Sequence, residues 1–428
     1  MERRDFLKKA ALVSGTVIPA SMMSCREIND LKKNTGFAPV SRRSERLAIA
    51  MWDFSWILRH HRYGEFENWD QVLEGLSLRG YNAIRIDAMP QFIAANSDGT
   101  VKETYRCVKD GWTPALWGND YTTTIRPREA LLEFLPKCRK YGISVGLATW
   151  FLRHGAGRED IFMEEGGLYR AWLETLRFLD SNGLLESILY VDLLNEYPFW
   201  HGYDWLKKEL DERSDARHFK MNNPEAHIPE FDNTKNEKFN PLQKTFYNEY
   251  ANKLITNLKV HFPALDFFVS LDSGMVLKNM DISKFSALDY HIWYAHRGSI
   301  PGLSEIGSRD QTLDLNHIYA NLLSYWNENR GELVQWMDNR LKTISDTAAK
   351  QDIPCGNTEG WGPISWYDHP ELDWEWVKIS AEICIDLALK YKNYKFICTS
   401  NFTHPQFRGI WNEVEWHQQM TDRIKGQS

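Results

Sequence analysis

The sequence predicts an α/β fold, a single (β/α)8 TIM barrel with long βα loops after strands 2 and 4. Two observations point there. Eight short apolar runs alternate with longer segments whose apolar residues recur at three- and four-residue spacing. The first run passes into "AMWDFSWILRHH" (50–61), which offers no glycine-rich turn to hold a phosphate, so an open nucleotide-binding sheet is disfavoured. With 428 residues and 43% hydrophobic composition, the chain can bury a large core.

Taken in order, residues 1–25 are expected to be an export signal and not part of the fold. Arg3 and Arg4, then Phe6-Leu7-Lys8 and a short apolar stretch, resemble a twin-arginine leader. "SMMSC" resembles a lipoprotein cleavage site ending at Cys25, although Met22 stands where leucine is commonest. The expectation is an exported protein of the periplasm or cell envelope, with membrane attachment through a lipidated Cys25 as an option. Residues 26–46, ending in "SRRSER", read as a linker, and 47–428 as the barrel. Strands are expected at 47–54, 82–88, 143–150, 188–194, 266–272, 287–293, 354–359 and 394–400. Helices include 128–142 and 375–392, and Gly80 and Gly142 serve as helix stops before the next strand. The long connections, 90–125 and 201–240, follow strands 2 and 4 on the carboxyl-end face, where such barrels build their sites. No later stretch is apolar and long enough to span a membrane.

A net charge of −7 with interspersed signs excludes the basic footprint of a nucleic-acid binder. Cys107, Cys138, Cys355, Cys384 and Cys398 match no zinc spacing, and their odd number argues against a disulfide framework. No metal and no cofactor is expected. The compositional excess is aromatic, with 18 Trp, 18 Tyr and 21 Phe.

Polar residues that end the apolar strands should project into a pocket on the carboxyl-end face. They are Asp53, then Arg85 and Asp87, then Trp150, Arg153 and His154, then Asn195 and Glu196. Asp272, His291 and Tyr294, Glu359 and Asn401 complete the ring. Glu196 and Glu359, ending strands 4 and 7, form a carboxylate pair of the kind glycosidic cleavage needs: one acid for the leaving oxygen, one ionised base or nucleophile.

Asn195-Glu196, Glu359 in "NTEGWG", "DYHIWY" (289–294) and "RGYNAIRIDAMPQ" (79–91) resemble clan A glycoside hydrolases, most of all cellulase-like members related to family five. The resemblance implies retaining cleavage of β-linked sugars by double displacement, with an oligosaccharide or polysaccharide substrate. Glu196 would be the acid/base, Glu359 the nucleophile, and Asn195 a partner of the sugar 2-hydroxyl. Arg85 and Tyr294 would hold Glu359 ionised, and His291 would line the pocket. His154 and Asn401 would complete it, with Trp150, Trp293, Trp361 and Trp411 as faces for sugar stacking. Tyr197 departs from the pattern where proline is usual, and "TSNFTH" lacks the usual strand-8 tryptophan, whose place Phe402 or Trp411 could take. Alternatives remain open for single residues: Arg85 as a structural ion pair with Asp87 or Asp53, and His291 as a core histidine. Two rival functions also remain. Glu196, Asp272, His291 and Glu359 resemble the divalent-metal set of sugar isomerase- and epimerase-like barrels, and the barrel could be a non-catalytic glycan-binding lipoprotein.

Overall fold

All eight expected strands form, and all pair in parallel. The computed structural model describes residues 38–108, 117, 119, 122–225, 238–272, 274–294, 315–362, 368 and 373–426. The expected leader, with Cys25, and linker residues 26–37 lie outside these. Strands are β1 Leu47–Asp53, β2 Ala83–Asp87, β3 Ser144–Ala148 and β4 Ile188–Asp192. Then come β5 in two pieces, Phe267–Phe268 and Leu271–Asp272, β6 Leu288–His291, β7 Cys355–Asn357 and β8 Tyr394–Cys398.

Each strand pairs with the next, and β8 pairs back onto β1. The first piece of β5 pairs with β4 and the second with β6. The ladder therefore changes sides within one continuous run, and that run closes the eight-stranded barrel. Every residue of β1 to β4 is buried, as expected of parallel strands covered on both faces.

The crossover helices are α1 Trp69–Leu78, α2 Pro127–Lys140, α3 Gly167–Ser181, α4 Pro241–His261, α5 Leu315–Lys350, α6 Glu375–Leu389 and α7 Val414–Lys425. Local chemistry sets where they begin. The Asn68 side chain caps α1, and Asn240 with Gln243 forms a capping box at α4, where Pro241 takes the first position. Among its described residues the β5–β6 connection carries only a 3₁₀ turn, Leu277–Asn279. No helix among the described residues is long and apolar enough to cross a membrane.

The barrel interior is filled by alternating ring and glycine. Tyr190 packs on Phe268 and Phe396 at centroid distances of 4.9 and 5.7 Å. Gly146 and Gly356 make the room: a Cβ at either would lie 2.2 Å from the Tyr190 or Phe396 ring. That dense plug forms the floor of the site above it.

Sequence expectation and structure differ in three places. Residues 38–46 of the expected linker are docked on the barrel, with Ser41 N and Oγ donating to Asp266 at 2.7 and 2.8 Å and Arg46 Nε to the Tyr394 carbonyl at 3.1 Å. The loop after β2 contains an antiparallel hairpin, Tyr105–Cys107 with Thr123–Ile125, and the loop after β4 contains helices Asp204–Glu212 and Ala216–Asn222. The expected helical crossover between β6 and β7 contains α5, which runs for 36 residues. The five cysteines among the described residues, Cys107, Cys138, Cys355, Cys384 and Cys398, are buried and free.

Candidate active site

Strand alternation explains which side chains meet above the plug. Asp53, Arg85, Asp192, Asp289 and His291 lie at or next to the carboxyl ends of their strands, and all are fully buried. Arg85 is the hub. Its Nη1 donates to Glu359 Oε1 and its Nη2 to Asn195 Oδ1, while Asp53 Oδ1 and Asp192 Oδ2 stand 3.6 and 3.5 Å away. Its partner set answers the structural alternative in part: Arg85 does pair with Asp53, but also with Glu359. Asp87 is occupied otherwise, accepting from the Met89 and Trp150 backbone N–H groups. Arg85 alone cannot neutralise all the buried carboxylates around it. Burial accordingly pushes Asp53 up to about 7 and Asp192 up to about 6.

Glu196 sits just past β4 in the left-handed region, with φ 45°. That backbone costs about 1–3 kcal/mol and is held by neighbours. Ser270 Oγ accepts from Glu196 N at 3.0 Å, and the Ser270 carbonyl accepts from Tyr197 N at 2.8 Å. The Glu196 carboxyl is pushed up to about 8, first by burial and then by the adjacent Glu359.

His291 joins the two glutamates. Its Nδ1 donates to Glu196 Oε1 at 3.0 Å and stands 3.6 Å from Glu359 Oε1. On its other side Nε2 meets Thr358 Oγ1 at 3.1 Å and Asp289 Oδ2 at 3.5 Å, and the Thr358 hydroxyl donates to Asp289 at 2.6 Å. Burial alone would lower the imidazole's pKa; the Glu359 and Asp289 carboxylates outweigh it and hold the ring well above its ordinary value. His291 is therefore placed between the two glutamates and is not packed in the apolar core. One ligand atom from each of Glu196, His291 and Glu359 lies within 4.8 Å of the others.

Asn195 is wholly buried. With Oδ1 turned to Arg85, its Nδ2 has no partner among the described residues. A buried donor left without a partner is unusual in a native fold.

On the β1–β3 side, the Trp150 indole donates to Asp53 at 2.7 Å, Phe54 and Trp117 pack on its ring, and His154 packs on Phe54. Burial pulls His154 down to about 4, so the ring is neutral. Trp361 donates its indole N–H to the Cys398 carbonyl at 3.0 Å, and the Asn401 N–H reaches the Gly360 carbonyl at 3.0 Å. Trp150, Trp293 and Trp361 are 5%, 2% and 1% exposed, so they offer little open ring face.

Two expected roles do not hold. Tyr294 packs on Trp326 beneath α5, and its hydroxyl accepts from Cys384 Sγ at 3.4 Å. Three residues past His291 it faces the helices, and the groups on Glu359 are Arg85 and His291. Trp411 lies under the Arg79 guanidinium, 3.9 Å from its ring, in the helical layer. Phe402 packs on Trp374 and Phe407. The sequence reading also passed over Asp192, Asp289, Thr358 and Ser270, which orient the expected residues. Asp289 was legible: it stands two residues before His291, on the same strand face.

Of the expected metal set, Glu196, His291 and Glu359 come together, whereas Asp272 is held by the Gly274 N–H and the Trp200 indole at 2.9 and 3.1 Å.

Comparison with known proteins agrees with this architecture. A family described as sugar-binding cellulase-like matches residues 49–425. A "putative glycoside hydrolase" from Parabacteroides distasonis ATCC 8503 is 29% identical, with 90% of this chain and 95% of that one covered and a TM-score of 0.70. The endo-β-1,4-mannanase of Thermotoga petrophila aligns at 11% identity over 91% of this chain and 79% of that one, with a TM-score of 0.48. A glycoside hydrolase family 5 enzyme of Prevotella bryantii B14, solved with a xyloglucan tetradecasaccharide, aligns at 13% identity over 90% and 98%, with a TM-score of 0.46. No curated protein matches the chain. The match over nearly the whole barrel places this chain in the sugar-binding cellulase-like family, within the clan A glycoside hydrolases.

Proposed function

We propose that the protein is a retaining glycoside hydrolase acting on β-linked sugars, with Glu359 as nucleophile and Glu196 as acid/base. The observation that carries this reading is the approach of the two glutamates, whose oxygens lie within 4.8 Å above the barrel plug. A separation near 5 Å suits direct attack; an inverting pair needs room for a water between them. The environments of the two carboxyls also differ in the required sense. Arg85 donates to Glu359, whereas Glu196 is pushed up to about 8, chiefly by burial, and is protonated at neutral pH.

In the first step Glu359 attacks the anomeric carbon as Glu196 gives its proton to the departing oxygen. The glycosidic C–O bond breaks and a glycosyl ester forms. Glu196, now a carboxylate, takes a proton from water, which attacks the same carbon and frees Glu359. His291 fixes the Glu196 oxygen that does not carry the proton, and Asn195 Nδ2 is free to donate to a sugar hydroxyl.

The pH dependence tests the assignment. Glu196 must be protonated for the first step, and its pKa is about 8. The kcat/KM for a disaccharide is therefore expected to fall about tenfold per pH unit above that value. A kcat/KM still level at pH 10 would rule Glu196 out as the acid.

The metal reading has one favourable observation, the three clustered ligand atoms. Against it, Arg85 already donates to the Glu359 carboxylate, so a dication there would meet a second positive charge in a buried site. Activity abolished by EDTA and restored by Mn²⁺ would favour it nonetheless.

A further inference from the structure

The chain has 18 tryptophans, and of those among the described residues only Trp200 is substantially exposed, at 47%. Its position is not casual. Trp200 N–H donates to the Glu196 carbonyl at 3.2 Å, as Phe199 N–H does at 2.9 Å, so the ring is carried on the turn that carries Glu196. The indole Nε1–H donates to Asp272 Oδ2 at 3.1 Å. Asp272 is itself 4% exposed and anchored through the Gly274 N–H at 2.9 Å. The ring is thus fixed by its edge to the end of β5 while much of its surface stays open. Beside it, Phe199 stacks on Phe239 at 5.1 Å with an interplanar angle of 11°, and the Lys238 ammonium caps Phe199 at 3.5 Å. A rigid, exposed indole offers contact area at low entropic cost, and its electron-rich face attracts the C–H groups of a sugar ring.

We propose that Trp200 is the platform for the sugar ring that departs, so the substrate is a di- or oligosaccharide and not the glycoside of a small alcohol. The proposal rests on the assignment of Glu196 as acid. An acid that protonates the leaving oxygen has the leaving group on its own side of the bond, away from Glu359, which attacks the opposite face of the ring. That side is the end of β4 and β5, where Trp200 stands. The glycone side is closed by contrast: Glu359 is 2% exposed, Trp361 1% and Asn401 0%.

The test compares substrates that share a glycone and differ only in what leaves. Cellobiose, mannobiose and xylobiose are paired with β-D-glucosyl, β-D-mannosyl and β-D-xylosyl fluoride. Fluoride is too small to stack on an indole. For whichever pair the wild type hydrolyses, Trp200→Ala should lower kcat/KM on the disaccharide roughly tenfold. The fluoride rate should stay within about twofold, and Trp200→Phe should recover most of the disaccharide rate. Equal losses on both substrates would mean that Trp200 only supports the Glu196 turn, and would overturn the proposal. So would a Trp200→Ala enzyme indifferent on both while the wild type is active. A wild type that hydrolyses no disaccharide and no fluoride would instead overturn the glycosidase reading, and this proposal with it.

Discussion

Replacing Glu359 by Gln is expected to lower turnover of any substrate by on the order of 10⁴-fold or more, because no ester can form without the nucleophile. The amide keeps size and hydrogen-bonding capacity, so the variant should fold and bind sugar, which a thermal melt and calorimetric titration would check. Glu196→Ala should behave differently. Without its acid the enzyme should fail on disaccharides yet still form the glycosyl ester from glycosyl fluorides, whose leaving group needs no proton. The ester then accumulates, because the same residue activates water in the second step. A fluoride burst followed by slow turnover is the expected trace. Equal loss on both substrate types with no burst would contradict the division of labour between the glutamates. A Glu359→Gln enzyme as active as wild type would favour a non-catalytic role for that residue.

Arg85→Met carries the largest expected cost in stability. It would leave Asp53, Asp192 and Glu359 without the guanidinium that faces all three. Removing one partner from a buried charge set typically costs about 3–5 kcal/mol, readable as a shift in the urea midpoint at unchanged slope. The penalty should depend on pH. Asp53 already titrates near 7, above its ordinary 3.8, because burial disfavours its charge. A carboxyl raised on folding supports stability while protonated and loses that support as pH rises through its folded pKa. Without Arg85, Asp53 and Asp192 rise further, so the variant should be closest to wild type near pH 5 and furthest from it near pH 8. A loss below about 1 kcal/mol at both pH values would mean that the ring of carboxylates does not depend on Arg85.

How much of this was legible in the sequence depended on periodicity. Most of the strands were visible because parallel barrel strands are buried on both faces and read as apolar runs, whereas the seventh, 354–359 (PCGNTE), is short and weakly apolar. β5 was legible as one run, but no local signal told that its first piece pairs with β4 and its second with β6. The hairpin after β2 has strands of three residues each, too short for alternation to register. The docking of residues 38–46 depends on Asp266, 225 positions from Ser41, and nothing local announces it.

In the site, Arg85, Asn195, Glu196, His291 and Glu359 were legible because the ends of barrel strands project into one pocket. Tyr294 was misplaced through parity: a period of two puts it on the face opposite His291, and that face belongs to α5. The same rule, applied backwards from His291, marks Asp289. Trp200 was not assigned to the site for another reason. Exposure is a property of the fold, and in a chain with 18 Trp only the structure tells which ring is left open.

The central claim is direct attack by Glu359 on the sugar, and the product's first-formed anomer tests it most directly. A disaccharide the enzyme hydrolyses is followed by proton NMR from the first minutes, before mutarotation mixes the signals. Two displacements at one carbon restore its configuration, so the β anomer should appear first and the α anomer only later. The α anomer appearing first would mean a single displacement by water, and would contradict the assignment of Glu359 as nucleophile.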